Sequence, residues 1–221
     1  MPTKPVSTTP HRAPAPDRRT RDRERRRNQV YDAAVALFVE RGFDSTTMDE
    51  VAERADVARA TVFNHFARKT AFLDEWSARR RRRALDAVYS EHLEDHSVRE
   101  ILERYMVELA KVSTDTRVET VAVMGAAVNT ANAGGHPALA HELAGILRRR
   151  QSKGELASTA NPEVAGLLLA TGYFGVVTAW IDTEPPAFDL LQRLLIVVSI
   201  VLDGISPVTP EQAKPTSQLR R

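Results

Sequence analysis

Residues 43–69 read FDSTTMDEVAERADVARATVFNHFARK, and this stretch decides the fold. Thr47 can cap a short helix, because Glu50 stands three residues later and completes a capping box. Asp56 interrupts the helical pattern and can adopt the left-handed conformation that a tight turn requires. A second short helix is predicted over Arg59–His65. The stretch therefore predicts a helix-turn-helix.

The second helix of this motif has two different sides. Val62 and Phe66 form its inner side, whereas its outer side carries small, aromatic and hydrogen-bonding residues. Such a surface suits the major groove of DNA, where polar side chains contact base edges and donors hold phosphates. We expect Arg59, Thr61 and Asn64 to read bases. The predicted DNA-contacting residues are Thr47, Arg59, Ala60, Thr61, Phe63, Asn64, His65 and Lys69, of which Thr47, Phe63, His65 and Lys69 hold the DNA backbone.

These residues resemble the TetR/AcrR family of transcriptional regulators. Residues 55–69 read Ala-x-Val-x-x-x-Thr-Val-Phe-Asn-His-Phe-x-x-Lys, which is similar to the family's recognition-helix signature. The segment from Gly42 to Ala52 is similar to its first-turn signature. Three positions depart from the family pattern: Asp56 replaces the usual turn glycine, Ala58 the usual Ser or Thr that opens the recognition helix, and Phe63 the usual tyrosine.

The resemblance implies an all-α fold, with a three-helix N-terminal head and a C-terminal body of about six helices. It also implies a homodimer, formed through the last two helices, that binds double-stranded DNA at a palindromic operator, most simply as a repressor. A small effector would bind among the middle helices and release the DNA. The predicted divisions are a disordered arm (1–20), a DNA-binding domain (21–69), a ligand-binding and dimerisation domain (70–205) and a disordered tail (206–221).

Composition and charge agree with a DNA-binding head on a neutral or acidic body. The chain has 221 residues, enough for a sizeable core, and no cysteine, which excludes disulfides and thiolate zinc sites. Residues 1–92 carry 19 Lys and Arg against 14 Asp and Glu, a net charge of +5, and the remainder carries −3. The start lacks an apolar signal region, and the longest apolar run, Leu194–Leu202, is too short to span a bilayer. We expect a cytoplasmic protein.

Two arginine-rich segments each admit two interpretations. Residues 18–27 precede a first helix predicted from about Asp22 to Glu40, and they form either an arm that follows DNA or a solvated helix start. Arg79–Arg83 lies on a predicted fourth helix that begins near Lys69 and continues past Val88. Because five consecutive residues circle a helix, this run cannot face one partner, and a solvated run with local Asp and Glu partners is favoured over direct DNA contact.

The rest of the chain is helical in pattern. Helices are predicted from about Ser97 onward, over 116–132, from Pro137 to Gln151, from Pro162 to Asp182 and from Phe188 to Ile205. The last two are apolar on more than one face, so each must be buried on two sides, most simply by the body and by a symmetry mate. Gly172 and Gly175 would permit close approach there.

A ligand pocket is predicted among the middle helices, where soft and aromatic side chains mix with polar ones. Ordinary core packing is the alternative for each residue. The effector is expected to be apolar or amphipathic, since no cluster of charges marks the inner faces. The candidate lining residues are Tyr105, Met106, Leu109, Met124, Val128, Asn129, Asn132, Tyr173, Phe174 and Trp180.

No enzymatic chemistry, cofactor or metal is expected. The chain contains neither a phosphate-binding glycine-rich loop nor a G-x-S-x-G nucleophile motif. His92 and His96 stand four residues apart, but their polar surroundings indicate a solvated helix end. Two further hypotheses stay open: a non-specific architectural DNA-binding protein, and a helical small-molecule-binding protein with a degraded DNA-binding head.

Overall fold

The computed structural model describes residues 17–91, 96–129 and 137–206, with the side chains of residues 128 and 129 outside the description. Within these ranges the chain forms nine α-helices and no strand, which confirms the predicted all-α fold with a three-helix head and a six-helix body. The predicted arm up to residue 16, the tail from residue 207, His92 and Asn132 lie outside the described ranges. The helices are α1 (Arg18–Arg41), α2 (Met48–Arg54), α3 (Arg59–His65), α4 (Thr70–Ser90), α5 (Val98–Asp115), α6 (Arg117–Asn129), α7 (Pro137–Gln151), α8 (Pro162–Ile181) and α9 (Leu190–Ile205).

The first helix begins earlier than its apolar pattern indicates. The Asp17 side chain accepts a hydrogen bond from the Thr20 amide at 2.7 Å and caps α1, which therefore begins at Arg18, four residues before the expected start at Asp22. The arginine-rich segment is therefore the first part of α1 and not an extended approach to it. Gly42 ends the helix with φ 84°, as predicted for a C-cap.

Local signals set the helix-turn-helix as predicted. Thr47 and Glu50 form the reciprocal capping box of α2. Asp56 adopts a left-handed conformation with φ 49° in the turn between α2 and α3. Ala58 occupies the N-cap position of α3 without a side-chain hydrogen bond, so this helix starts with one amide fewer satisfied than a Ser or Thr would leave.

Aromatic side chains join the head to the helix that follows it. Phe66, just after α3, stacks on Phe72 of α4 with ring centroids 4.2 Å apart, and Phe38 of α1 forms a T-shaped pair with Phe72 at 6.0 Å. All three rings are buried. Offset aromatic pairs of this kind add stability beyond their buried area. The orientation of α3 is consequently tied to the first turn of α4.

The body is a layered bundle that meets the head through two helices. α4 packs on α5, α7 packs along α8, and α9 packs on both α5 and α8, while α6 contacts α1 of the head as well as α8. Trp76 of α4 is buried at this junction, and its indole N–H donates to Glu119 of α6. Head and body thus share a common core and not a flexible linker.

Helix α8 is apolar enough, by length and composition alone, to span a membrane, with a mean hydropathy of 1.8. In the structure it lies between α7 and α9, and Gly166 lies against the backbone of α7. A Cβ atom on Gly166 would lie 2.6 Å from the Ala140 carbonyl oxygen and 2.7 Å from the Ala144 amide nitrogen. Gly172 was expected to allow a close approach to a second chain, but it faces Val197 of the same chain instead. That part of the expectation was wrong, because α9 of the same chain fills the space.

The Gly166→Ala variant should unfold more easily than the wild type by about 1–3 kcal/mol, because backbone atoms of α7 would have to move. Gly125→Ala is the matched control, since its Cβ would meet no atom within 4 Å and alanine favours helix. Urea denaturation followed by circular dichroism measures both. Equal stability of the two variants would contradict the close α7–α8 contact.

Candidate nucleic-acid interface and ligand cavity

The outer side of α3 is available to a large partner. Arg59, Ala60, Phe63 and Asn64 are exposed, whereas Val62 on the opposite side is fully buried. Phe63 is a large apolar ring with 39% of its surface exposed. The structure therefore brings together, on one surface, the side chains that the sequence indicated for base contact, with Thr61 half-buried at its edge.

Arg59 is already oriented in the free protein. Its Nε lies 3.0 Å from Asp49 Oδ1 of α2, and its guanidinium group lies over the Phe63 ring at 5.4 Å. Both groups of this ion pair are well exposed, so the pair contributes at most about 1 kcal/mol. Arg59 can consequently leave Asp49 for another hydrogen-bond acceptor at little cost.

Arg27 of α1 holds the end of the recognition helix. Its Nη1 donates to the His65 carbonyl at 2.8 Å, its Nη2 contacts Glu75 Oε2 at 2.9 Å, and its guanidinium stacks on Phe66 at 4.3 Å. The carbonyl groups at a helix C-terminus lack intrahelical partners, and a cation there is favourable. Arg27 is thus a structural side chain of the head, although it belongs to the arginine-rich segment considered for DNA contact.

Glu75 forms ion pairs with three arginines. Besides Arg27, it accepts hydrogen bonds from Arg79 Nε at 2.9 Å and from Arg82 Nη2 at 3.2 Å. Burial alone would raise the pKa of Glu75, but the hydrogen bonds from Arg27 and Arg79 outweigh it and lower that pKa. The carboxylate therefore stays ionised at neutral pH and links α1 to α4.

His65 sits in a positive environment at the end of α3. Partial burial, followed by the nearby charges of Arg27, Arg23 and Arg26, lowers the pKa of His65. Its imidazole is consequently neutral at neutral pH and acts as a hydrogen-bond group without a charge. Because Arg23 and Arg26 are exposed beside it, the first turns of α1 extend the positive surface of α3.

Lys69 was expected to share a phosphate with the first amides of α4, and the structure gives it another role. Its ammonium group donates to the carbonyl oxygens of Phe43 at 2.7 Å, Thr46 at 3.0 Å and Asp44 at 3.1 Å, and it lies over the Phe43 ring at 4.5 Å. An ammonium has three donors, and all three are used here. Lys69 therefore closes the loop between α1 and α2.

Thr47 is exposed, but its hydroxyl is engaged in the capping box, where it donates to Glu50 Oε2 at 2.9 Å and accepts from the Glu50 amide at 3.2 Å. The hydroxyl is therefore primarily a cap.

Sequence reasoning missed the positioning residues of this surface, namely Arg27, Gln29, Asp49 and Glu75. Gln29 donates to the Ala55 carbonyl at 2.7 Å and so fixes the turn before α3. None of these tertiary contacts follows a local spacing rule.

The Arg79–Arg83 run is distributed around α4. Arg79, Arg82 and Arg83 pair with nearby carboxylates, as the favoured interpretation predicted. Arg80 and Arg81 instead point toward the body, where Arg80 lies over the Trp76 ring at 3.6 Å and Arg81 Nε lies 3.6 Å from Glu142 Oε2. The expectation that no cluster of charges marks the inner faces was therefore wrong. An unbroken run of five must place some of its members inward.

A small cavity lies between α4, α5, α7 and α8. Its volume is about 10 Å³, the room of a single water molecule. Of the ten predicted pocket residues, Leu109, Tyr173 and Phe174 border it. The other lining residues, which sequence reasoning missed, are Trp76, Ser77, Arg80, Arg81 and Leu139.

The remaining pocket candidates lie elsewhere. Tyr105, Met106 and Met124 are buried in the body core, and the Tyr105 hydroxyl donates to Glu142. Trp180 lies under the guanidinium of Arg117 at 4.4 Å, near the end of α8. The side chains of Val128 and Asn129, and the whole of Asn132, are outside the described ranges. Within those ranges the structure holds no group of three His, Asp or Glu side chains suited to a metal ion.

An exposed recognition helix, mounted on a packed three-helix head above a helical body, defines a helix-turn-helix transcriptional regulator. Residues 30–76 match the family model described as bacterial regulatory proteins, tetR family. The match covers the DNA-binding head, which is therefore of the tetR type, and the chain as a whole is similar to transcriptional regulators of that family.

Three relatives illustrate the similarity. The probable acrEF/envCD operon repressor of Escherichia coli K12 is 22% identical over 198 residues, which cover 82% of this chain and 87% of that protein. The HTH-type transcriptional activator FasR of Mycolicibacterium smegmatis is 43% identical over 47 residues, only 21% of this chain and 22% of that protein. The crystal structure of Thermus thermophilus FadR, a TetR family repressor in complex with lauroyl-CoA, has a TM-score of 0.62 and 25% identity, covering 83% of this chain and 97% of that one.

The Lys69→Met variant should lose about 1–3 kcal/mol of unfolding free energy, because three carbonyl groups lose their donor. Its DNA affinity, measured below its melting temperature, should keep the wild-type salt dependence. Arg68→Met is the control, since Arg68 is exposed and pairs with Asp74 at 3.6 Å. A salt slope reduced by about one in Lys69→Met would restore the phosphate-binding role.

Proposed function

We propose that this protein is a ligand-responsive transcriptional repressor that acts as a homodimer on a palindromic operator. The observation that carries the proposal is the outer surface of α3, where Arg59, Phe63 and Asn64 are exposed on a helix fixed at both ends. Arg59, Thr61 and Asn64 contact base edges, and the exposed arginines of α1, with Phe63 and His65, hold the backbone. Double-stranded DNA is thus the first partner, reached in the cytoplasm.

Similarity to the relatives supports two parts of the proposal, repression and effector binding. The Escherichia coli relative and the Thermus thermophilus protein are both described as repressors, and both align along most of this chain. The activator FasR aligns only with the head, which does not decide the direction of regulation. The Thermus protein holds lauroyl-CoA, so a small-molecule effector in the body fits the shared fold. The protein acts by binding and carries out no catalysis.

The homodimer is supported by apolar side chains that one chain leaves uncovered. On α8 and α9 the stripe consists of Val164, Leu167, Leu168, Ile196 and Ile200, all about half exposed or more. A soluble chain rarely exposes so many branched side chains on two neighbouring helices. A second copy related by a two-fold axis would bury the same stripe on both chains. With this interface in the body, the proposed division of the chain is a DNA-binding head up to about residue 69 and a body that binds the effector and the second copy.

Selection of bound sequences from a random DNA pool at near-physiological salt tests the function. Wild-type protein should recover a palindromic motif with half-sites about one or more helical turns apart. Asn64→Ala should lose preference at one base pair of each half-site, worth about 1–3 kcal/mol. Recovery of DNA without any motif would support an architectural protein instead, and failure to bind DNA at low salt would indicate a degraded head.

Arg23→Ala should weaken binding to all sequences alike and reduce the salt slope by about one, because its charge faces the backbone and not the bases. Lys111→Ala is the control, since it removes the same charge from an exposed position on the body. Filter binding at several salt concentrations measures both variants. A motif altered by Arg23→Ala would contradict the division into reading and positioning residues.

Leu168→Glu and Ile200→Glu should convert the wild-type dimer into a folded monomer at micromolar concentration and weaken binding to the palindrome, because a charge would have to be buried in the interface. Val118→Glu is the control, since Val118 is 68% exposed on α6, away from this stripe. Sedimentation velocity gives the oligomeric state. A monomeric wild type would overturn the homodimer.

A further inference from the structure

Arg80 is a buried cation with an unused donor. Its side chain is 6% exposed, and its Nη2 donates to the hydroxyl oxygens of Thr116 at 2.8 Å and Thr120 at 3.3 Å. Glu119 Oε1 lies 3.5 Å from the same nitrogen and also accepts from Trp76. Arg80 Nη1, in contrast, is buried and has no hydrogen-bond partner among the described residues.

Arg81 repeats this arrangement on the next residue. Its Nε is buried and has no hydrogen-bond partner within the described ranges, because Glu142 Oε2 lies 3.6 Å away. The Glu142 carboxylate accepts the hydroxyl hydrogen of Tyr105 through its other oxygen. Glu142 Oε2 therefore remains an ion-pair partner of Arg81 but lies beyond hydrogen-bond distance, so the guanidinium keeps an N–H to offer.

Two unused charged donors at neighbouring positions are costly. A buried donor without an acceptor costs about 1–3 kcal/mol, and more when it is charged. Both arginines border the cavity whose other walls include Leu109, Leu139 and Tyr173. Burial raises the pKa of Tyr173, and the charges of Arg80 and Arg81 oppose this shift without reversing it. The guanidinium charges thus act directly on the cavity wall.

We propose that this cavity binds an organic carboxylate, which is the effector of the protein. The carboxylate accepts hydrogen bonds from Arg80 Nη1 and Arg81 Nε, and an apolar or aromatic body lies among Leu109, Leu139 and Phe174. This inference rests on the proposed function and names its effector class. A carboxylate offers two acceptor oxygens with a single charge, which matches two N–H donors and costs less to bury among apolar walls than a dianion. A cation would meet two like charges.

The size of the cavity connects binding to regulation. About 10 Å³ does not hold an organic acid, so the surrounding helices must separate to admit one. Arg80 and Arg81 both belong to α4, whose first turn packs on Phe38 and Phe66 of the head. The effector consequently favours a displaced α4, and it releases DNA only as far as its affinity differs between the two positions of that helix.

Matched acids and esters test the proposal. Octanoate, dodecanoate and 1-naphthaleneacetate are each compared with their methyl esters by isothermal titration calorimetry and thermal shift on the full chain. At least one acid should bind and stabilise the wild type, while its ester should not. Arg81→Met should weaken that acid at least about ten-fold, because a charge-assisted hydrogen bond is lost. Arg82→Met, an exposed neighbour in the same run, should bind the acid like the wild type.

Arg80→Met provides a second variant once circular dichroism shows that it folds, and it should also lose the acid. Binding of the esters as tightly as the acids, or unchanged affinity in Arg81→Met, would overturn the proposal. Failure of every acid would overturn it as well and would leave a buried water as the partner of the two donors. The random-pool selection separates this proposal from the proposed function. If the protein selects a DNA motif but binds no acid, the proposed function stands and the carboxylate site is rejected. If the protein binds an acid through Arg81 but selects no motif, the carboxylate site stands and the proposed function is rejected.

Discussion

Ion pairs around α4 are the constraint on which the relation between head and body depends. Glu75 is reached by arginines from α1 and from α4 itself, and Arg27, which makes one of these contacts, also holds the last carbonyl of α3. Removing a single partner would leave charge uncompensated in a largely buried place. The recognition helix therefore keeps its orientation through the same side chains that fix α4.

The stacked aromatic rings of Phe66 and Phe72 also link the end of α3 to the first turn of α4. α4 then runs along α5 and places Trp76, Arg80 and Arg81 at the junction with α6, α7 and α8. At about 1.5 Å per residue, roughly 16 Å of helix separates Lys69 from Arg80. A single rigid element thus touches both the DNA-binding head and the cavity, and no separate relay is required.

Local features of the fold could be predicted from the sequence, and tertiary partners could not. The capping box at Thr47, the left-handed Asp56 and the start of α8 at Pro162 follow from residue types at fixed offsets. The acceptors of Lys69 are backbone carbonyls from a loop more than twenty residues away, which no side-chain pattern reveals. The inward direction of Arg80 and Arg81 required knowing which side of α4 faces the body. The sequence could show that five consecutive arginines circle the helix, but not which side of the helix faces the core.

Under the proposed dimerisation through the exposed stripe of α8 and α9, regulation also depends on the supply of the protein. When a homodimer is the species that binds DNA, its concentration rises with the square of the chain concentration wherever monomers dominate. A modest change in expression then gives a steeper change in operator occupancy. If the proposed homodimer forms through this apolar surface, whose most exposed residue is Ile200, gene dosage becomes a second input beside the proposed effector.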